Sequence, residues 1–157
     1  MSDPLRKIIL DELKANFESL NNTSSLWGPN TTVERAARGF ADLEVRPETM
    51  PFIGIIPQED TVSEYPDHIE VDWPIEIVGH IEVDPRTEQQ VVDTCTQMRT
   101  DMRRIIYTYQ DLSETLGVMN VSLRAMMGSE GAPRAAEDGI ASVFMRIAVE
   151  FMEGILD

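Results

Sequence analysis

Two histidines and several carboxylates share one stretch of the chain, residues 67–84, and these residue types can bind metal ions or transfer protons. Most of them occupy even positions within the stretch, including His68, Glu70, Asp72, Glu76, His80 and Glu82. At about 3.3 Å per residue of extended chain, the two histidines would lie roughly 40 Å apart, too far to join one metal site within a subunit. The carboxylates are spread along the stretch and do not converge. This pattern predicts a solvated face.

The single cysteine offers no chemistry of its own. One cysteine excludes an internal disulfide and a metal site built from several cysteines. Cys95 falls in the apolar stripe of a predicted helix, which indicates a small core residue and not a nucleophile. The sequence contains no glycine-rich phosphate loop, nucleophile elbow or zinc-binding helix motif. We therefore predict no catalytic residue, no cofactor and no metal site, and we do not expect an enzyme.

The charge of the chain limits its partners. Its 157 residues, 42% of them hydrophobic, are enough for one domain with a sizeable core, so residues 1–157 are predicted to form a single domain. The net charge is −15, and the one lysine or arginine between Glu59 and Asp93 is Arg86. Such a surface repels phosphate backbones. Two interpretations stay open: the acidity keeps the chain soluble, or it lines a surface that nucleic acid passes without binding.

The sequence shows neither a membrane span nor a secretion signal. No stretch approaches the roughly 20 apolar residues that cross a bilayer. The N-terminal segment carries Asp11 and Glu12 where a signal peptide would carry an uninterrupted apolar run. We expect no membrane association and no export by that route.

The stretch that carries the carboxylates predicts one long β-strand over residues 67–84. Its odd positions are mainly apolar and its even positions mainly acidic, the alternation of a strand with one buried face. Pro74 cannot donate a ladder hydrogen bond, so the strand is predicted to lie at the edge of a sheet or to be bulged at this point.

Two amphipathic helices accompany this strand. Apolar residues recur at three- and four-residue steps over residues 4–20, including Ile8, and over residues 84–109. The second helix carries Arg99, Arg103 and Arg104 in its last turns, where they would complement the helix dipole or dock an acidic neighbouring subunit. Trp27 is predicted to cover the core.

Further strands flank the long one in sequence. The continuous apolar run at 51–57 is typical of a strand covered on both faces, and it should pair with the long strand through a polar loop at 58–66. Alternation over 117–127 and 141–152 predicts a second hairpin with a long loop at 128–139. Together these elements predict an α+β fold: a mostly antiparallel sheet with two amphipathic helices packed on one face.

The second face of that sheet is not wholly polar. Apolar side chains interrupt it at Val118, Met126, Phe144 and Met152. They indicate a second buried contact, made either by a neighbouring subunit or by the N-terminal segment or residues 26–50 of the same chain.

The element order also resembles that of a known family. The residues that carry the resemblance are the strand Met-Pro-Phe-Ile-Gly-Ile-Ile-Pro at 50–57, the long alternating strand, and the helix that opens with Asp-Pro-Arg-Thr-Glu-Gln-Gln and ends near Arg-Thr-Asp-Met-Arg-Arg-Ile-Ile-Tyr. This layout is similar to that of the tail terminator, or tail completion, proteins of long-tailed bacteriophages and related contractile particles. The resemblance covers nearly the whole chain and is weakest over residues 26–50.

The resemblance implies a structural virion protein of the tail and neck region, assembled in the host cytoplasm. Such a protein forms a homohexameric ring that caps the tail tube, ends tube polymerisation and contacts both the tail tube protein and the head-side neck or connector protein. DNA would pass through the ring without specific binding. The alternatives are another neck protein, such as a head-closure or adaptor subunit, and a small-ligand-binding or enzymatic α+β domain.

Two sets of residues follow as candidates for these contacts. The expected subunit interface contains Met126, Phe144, Met152, Arg99 and Arg103, and replacing Phe144 with Glu is predicted to block the ring while leaving the secondary structure intact. The expected acidic lumen or partner face contains Glu70, Asp72 and Glu76.

Overall fold

The chain folds as an α+β structure in which helices cover one face of a mixed, mostly antiparallel sheet. The computed structural model describes residues 4–20, 27, 31–35, 51–82, 88–108, 122–125, 134–135 and 140–154. The described elements are α1 (Pro4–Glu18), β1 (Thr32–Arg35), β2 (Phe52–Pro57), β3 (Thr61–Glu64), β4 (His68–Glu82), α2 (Glu88–Thr108), β5 (Ser122–Ala125), β6 (Arg134–Ala135) and β7 (Ile140–Gly154). Neither described helix is long and apolar enough to cross a membrane.

The sheet is built around the two longest strands, β4 and β7. They pair antiparallel over their whole lengths, from His68 opposite Gly154 to Glu82 opposite Ile140. The strand order is β1-β2-β4-β7-β5, with β3 added beside β4 and β6 beside β7, and the pairing of β1 with β2 is parallel. The predicted fold class is therefore confirmed, and so is the antiparallel pairing of β2 with the long strand.

The long strand is central, so the prediction that Pro74 marks a sheet edge is wrong; β4 is not bulged either, and the bulge lies in the chain that runs beside it. Pro57 pairs with Ile75 and Thr61 with Asp72, so the three residues 58–60 between β2 and β3 lie opposite only two residues of β4 and form a bulge. The Pro74 carbonyl accepts a hydrogen bond from the Gln58 N–H at 2.9 Å. In an antiparallel strand the N–H and C=O of one residue point toward the same neighbouring strand. An N–H at position 74 would therefore point toward this bulge and not toward β7, so the proline removes no hydrogen bond to β7. The ladder with β7 is thus left complete.

The core lies between the odd positions of β4 and β7 and the two helices. The apolar stripe of α1 buries Ile9, Leu13 and Phe17. Ile8 was predicted to belong to this stripe, but its side chain is 45% exposed, so this part of the prediction is wrong. The α2 stripe buries Cys95, Met98, Met102, Ile105 and Ile106. Gly79 allows α2 to approach the sheet, since a Cβ at this position would lie 3.1 Å from the Met102 sulfur.

Trp27 is part of this core, as predicted, and it is also hydrogen-bonded to α2. The side chain is 1% exposed, and its indole N–H donates to the Asp101 carboxylate at 3.1 Å. The other oxygen of Asp101 accepts a hydrogen bond from Gln97 at 2.8 Å. This carboxylate is 1% exposed, and its hydrogen bonds offset the cost of burying a charge.

Arg6 holds α1 over the opposite end of the sheet. Its guanidinium lies 5.8 Å from the Trp73 ring centroid and 5.4 Å from that of Phe151, and it forms an ion pair with Asp60. The Trp73 indole N–H donates to the Gln58 carbonyl at 2.9 Å. These contacts join α1, the bulge and the two long strands at one place.

Three local predictions need correction. The loop expected over residues 128–139 contains the short strand β6, which pairs with β7. Residues 58–66 were expected to form a loop, but β3 lies within them and pairs with β4, since Val62 faces Val71 across the ladder. The arginines of α2 do not lie in its last turn, which contains no lysine or arginine, so their complementation of the helix dipole there is not found. Residues 84–87, which contain the predicted start of α2, lie outside the described residues.

Candidate functional site: the second sheet face and a basic groove on the long helix

The face of the sheet away from the helices is acidic toward the β3–β4 end. Glu70 and Asp72 project there and are exposed, and Glu76 is half-buried on the same face. The shared face that the sequence predicts for these three carboxylates is therefore found. Their proposed role in a lumen or partner contact stays a prediction.

The strand register distinguishes these carboxylates from one another. Asp72 stands directly opposite Glu150 of β7, and like charges at such positions destabilise a sheet. Glu76 stands opposite Arg146, a favourable cross-strand pair.

The other end of this face is apolar and already covered in the single chain. Phe52, Ile56 and Val78 are at most 4% exposed and form a cluster against which Phe144 packs. The sequence signal for this cluster was the continuous apolar run of β2, whose residues Phe52–Ile56 are all buried. Phe144, a predicted interface residue, therefore serves a contact within the chain.

The remaining predicted interface residues are dispersed. Met152 is 37% exposed at the acidic end of the second face, opposite Glu70. Arg99 and Arg103 are half-buried on α2. Met126 lies outside the described residues. The structure does not bring the three described side chains, Met152, Arg99 and Arg103, into one patch.

His80 and Ser142 meet on the second face, a pairing that sequence reasoning missed because the residues are far apart in the chain. His80 Nδ1 lies 2.8 Å from the Ser142 hydroxyl oxygen, and the imidazole is tilted by 35° against the Phe52 ring at 6.1 Å. A histidine beside a serine hydroxyl can activate it as a nucleophile when substrate can reach both. His80 is 6% exposed, so the geometry favours a buried polar contact that joins β4 to β7.

Cys95 is likewise a core residue. The thiol is fully buried, and burial raises its pKa against the smaller opposing effects of the Arg99 charge and a hydrogen bond with the Ser142 backbone. A thiol held in its neutral form is a poor nucleophile, which agrees with the sequence prediction. Among the described residues no group of three or more His, Cys, Asp or Glu side chains could hold a metal ion.

The basic counterpart of the acidic face lies on the C-terminal half of α2. We use the name basic groove for an open depression of about 410 Å³ lined by Thr100, Arg103, Arg104, Tyr107 and Thr108. Arg104 is 62% exposed and lies 3.9 Å from Asp101, and Tyr107 is 50% exposed. The groove includes Arg103 of the predicted interface but not Arg99.

The turn between β3 and β4, residues 64–68, has its own ordered structure. We call it the acidic turn. The rings of Tyr65 and His68 stack at 4.8 Å with 8° between their planes, and the Tyr65 N–H donates to the His68 carbonyl at 2.9 Å. His68 Nδ1 lies 2.7 Å from Asp67, and Nε2 lies 3.6 Å from Glu70.

These carboxylates raise the pKa of His68 above its ordinary value of 6.5, chiefly through the hydrogen bond with Asp67 and in smaller part through Glu70. We expect an NMR titration of His68 to show this elevation and Asp67→Asn to remove most of it. Because the folded-state pKa is the higher one, the protonated ring stabilises the turn below the ordinary value, and this contribution is lost as pH rises through the folded pKa. Glu70→Gln is the matched control and should shift the pKa less. An unchanged His68 titration in the Asp67→Asn variant would contradict the assignment.

Comparison with models of known protein families found no match, and a search of curated proteins found no similar sequence.

Proposed function

We propose that this chain is a structural phage protein that caps the tail tube as a homohexameric ring, ends tube polymerisation and forms the joint to the head-side neck. The observation that carries the proposal is the separation of charge on one small α+β domain. An exposed acidic sheet end carries Glu70, Asp72 and Glu150, and a basic groove lies on the covering helix. A ring subunit needs two different complementary surfaces, one for each neighbour.

The net charge supports the same proposal. A tube that conducts DNA benefits from walls that repel phosphates, and a chain of net charge −15 supplies them. Charges act over roughly 8 Å in physiological salt, so only carboxylates close to the passage would contribute. Glu70 and Asp72 are the exposed candidates, whereas Glu76 is half-buried beside Arg146.

The test is electron microscopy of particles made without this protein. Loss of a terminator leaves tube length uncontrolled and tails unjoined, so we expect tubes of variable length beside DNA-filled heads. Tails of normal length that fail to join heads would instead indicate another neck protein, such as a head-closure or adaptor subunit. Normal, infectious particles would contradict any structural role in the tail or neck.

Complementation of such particles tests the acidic face. The chain with Glu70→Lys and Asp72→Lys is expected to restore tail length but to slow DNA release, since lysines near the passage would bind phosphates. Glu76 is left unchanged because a lysine there would face Arg146. Asp11→Lys with Glu18→Lys on α1 is the control, since it changes the net charge equally. Equal release rates for the two variants would exclude this role for the acidic face.

A further inference from the structure

We propose that the basic groove binds the acidic turn of a second copy of this chain, in a head-to-tail contact that repeats from copy to copy. The inference deepens the proposed function by naming the two surfaces of the subunit interface. It rests on that function only for the closure of the repeating contact into a ring.

The groove is suited to a protein segment and not to a small molecule. Pockets for small ligands bury most of the ligand surface, whereas this groove lies open along one side of α2. Two guanidinium groups and the half-exposed Tyr107 line it. Arginine and tyrosine are among the residues enriched at protein interfaces, and arginine binds carboxylates through two parallel hydrogen bonds.

The acidic turn has the complementary properties. Glu64 is exposed, the Asp67 side chain is 80% exposed, and Tyr65 is 44% exposed between them. All four residues of β3 are exposed as well, so the side chains beside the turn are also accessible to a partner. The stacking of Tyr65 on His68 holds the turn in one conformation, and a segment that is ordered in advance loses less entropy on binding.

The turn cannot reach the groove of its own chain. Met102 packs at Gly79, and His68 lies eleven residues from Gly79 along β4, which is about 36 Å of strand. The groove residues lie within about 9 Å of Met102 along the helix axis. Turn and groove are therefore separated by roughly 20 Å or more, so the contact must join two molecules. Because the surfaces differ, it is heterologous and can close into a ring.

Charge reversal with a matched control tests the contact in solution. The groove variant carries Arg103→Glu and Arg104→Glu, and its control carries Lys7→Glu and Lys14→Glu on the exposed face of α1. Each replaces two positive by two negative charges, so both chains change from −15 to −19 and general repulsion rises equally. In sedimentation over a concentration series, we expect the wild-type and control chains to associate and the groove variant to stay monomeric.

A mixing experiment then tests the pairing of the two surfaces. The turn variant carries Glu64→Lys and Asp67→Lys and should be monomeric alone, because its basic turn meets a basic groove. Mixed in equal amounts with the groove variant, it should form assemblies in which the two chains alternate, since each turn then meets a groove of opposite charge. Native mass spectrometry would show complexes with equal numbers of both chains.

Three results of the solution experiments would overturn the proposal. They are a wild-type chain that stays monomeric throughout the series, equal association of the groove variant and its control, and a mixture without mixed complexes. In one case the groove reversal weakens association, but mixing the two variants gives no mixed complexes. That result would point to an acidic segment elsewhere as the occupant of the groove, and it counts against the acidic turn. Tail length in particles distinguishes failure of this contact from failure of the proposed function. Normal tails made by the groove variant would refute the contact and leave the proposed function unaffected.

Discussion

Replacement of Trp27 by alanine is expected to lower the free energy of unfolding by about 3–5 kcal/mol, a large share of the stability of an ordinary domain. Two effects add. The indole fills core space against α2 and Gly79, and its N–H is one of the donors to the buried Asp101 carboxylate. Removal of the ring opens a cavity and withdraws a hydrogen bond from a charge that is 1% exposed.

Denaturant unfolding measures this loss, with Trp73 as the remaining tryptophan to report it by fluorescence. Trp27→Phe separates the two effects, because it retains most of the volume and removes only the N–H donor. Its cost should be smaller, about 1–3 kcal/mol. In a double-mutant cycle with Asp101→Asn, the costs of Trp27→Phe and the asparagine should not add, since both act on one hydrogen bond. A cost below about 1 kcal/mol for Trp27→Ala would show that the ring is not part of the core.

Replacement of Phe144 by glutamate is expected to destabilise the isolated chain by about 2–4 kcal/mol. Phe144 packs against Phe52, Ile56 and Val78. The substitution would remove these apolar contacts and place a carboxylate beside buried side chains. The sequence suggested this substitution as a selective block of ring formation. The structure indicates that it would act on the fold of each subunit as well.

Two further variants separate stability from assembly. Phe144→Leu keeps the cluster apolar and should cost less than about 1.5 kcal/mol. Met152→Glu places the same charge on the same face of β7, at a side chain that is 37% exposed, and should cost only about 0.2–1 kcal/mol of unfolding free energy, through repulsion by Glu70 across the ladder. An effect of Met152→Glu on tail assembly would support a subunit contact at this end of the sheet. If Phe144→Glu abolished assembly without a change in unfolding free energy, the intrachain role of Phe144 would be refuted.

On the second face of the sheet, the sequence predicted which side chains share the face but not which residues they pair with across the strands. The alternation of β4 placed Glu70, Asp72 and Glu76 on one face, since side-chain direction in a strand depends only on position. That Asp72 faces Glu150 while Glu76 faces Arg146 depends on how β7 is aligned with β4. A shift by one residue in that alignment would change every cross-strand pair.

The sequence by itself determined the features that have a local physical cause. The periods of apolar residues predicted both helices, the two long strands and the α+β class, because burial on one face requires that spacing. The lack of an N–H at Pro74 left two choices, an edge or a bulge.

The tertiary structure alone decided what depends on residues distant in sequence. It placed β4 at the centre of the sheet, set the bulge opposite Pro74, and joined Trp27 to Asp101 and His80 to Ser142. It also added β3, whose short and fully exposed segment carries no buried face for a pattern to reveal. Each of these features is a pairing between elements, and its energy comes from a partner that the local sequence does not specify.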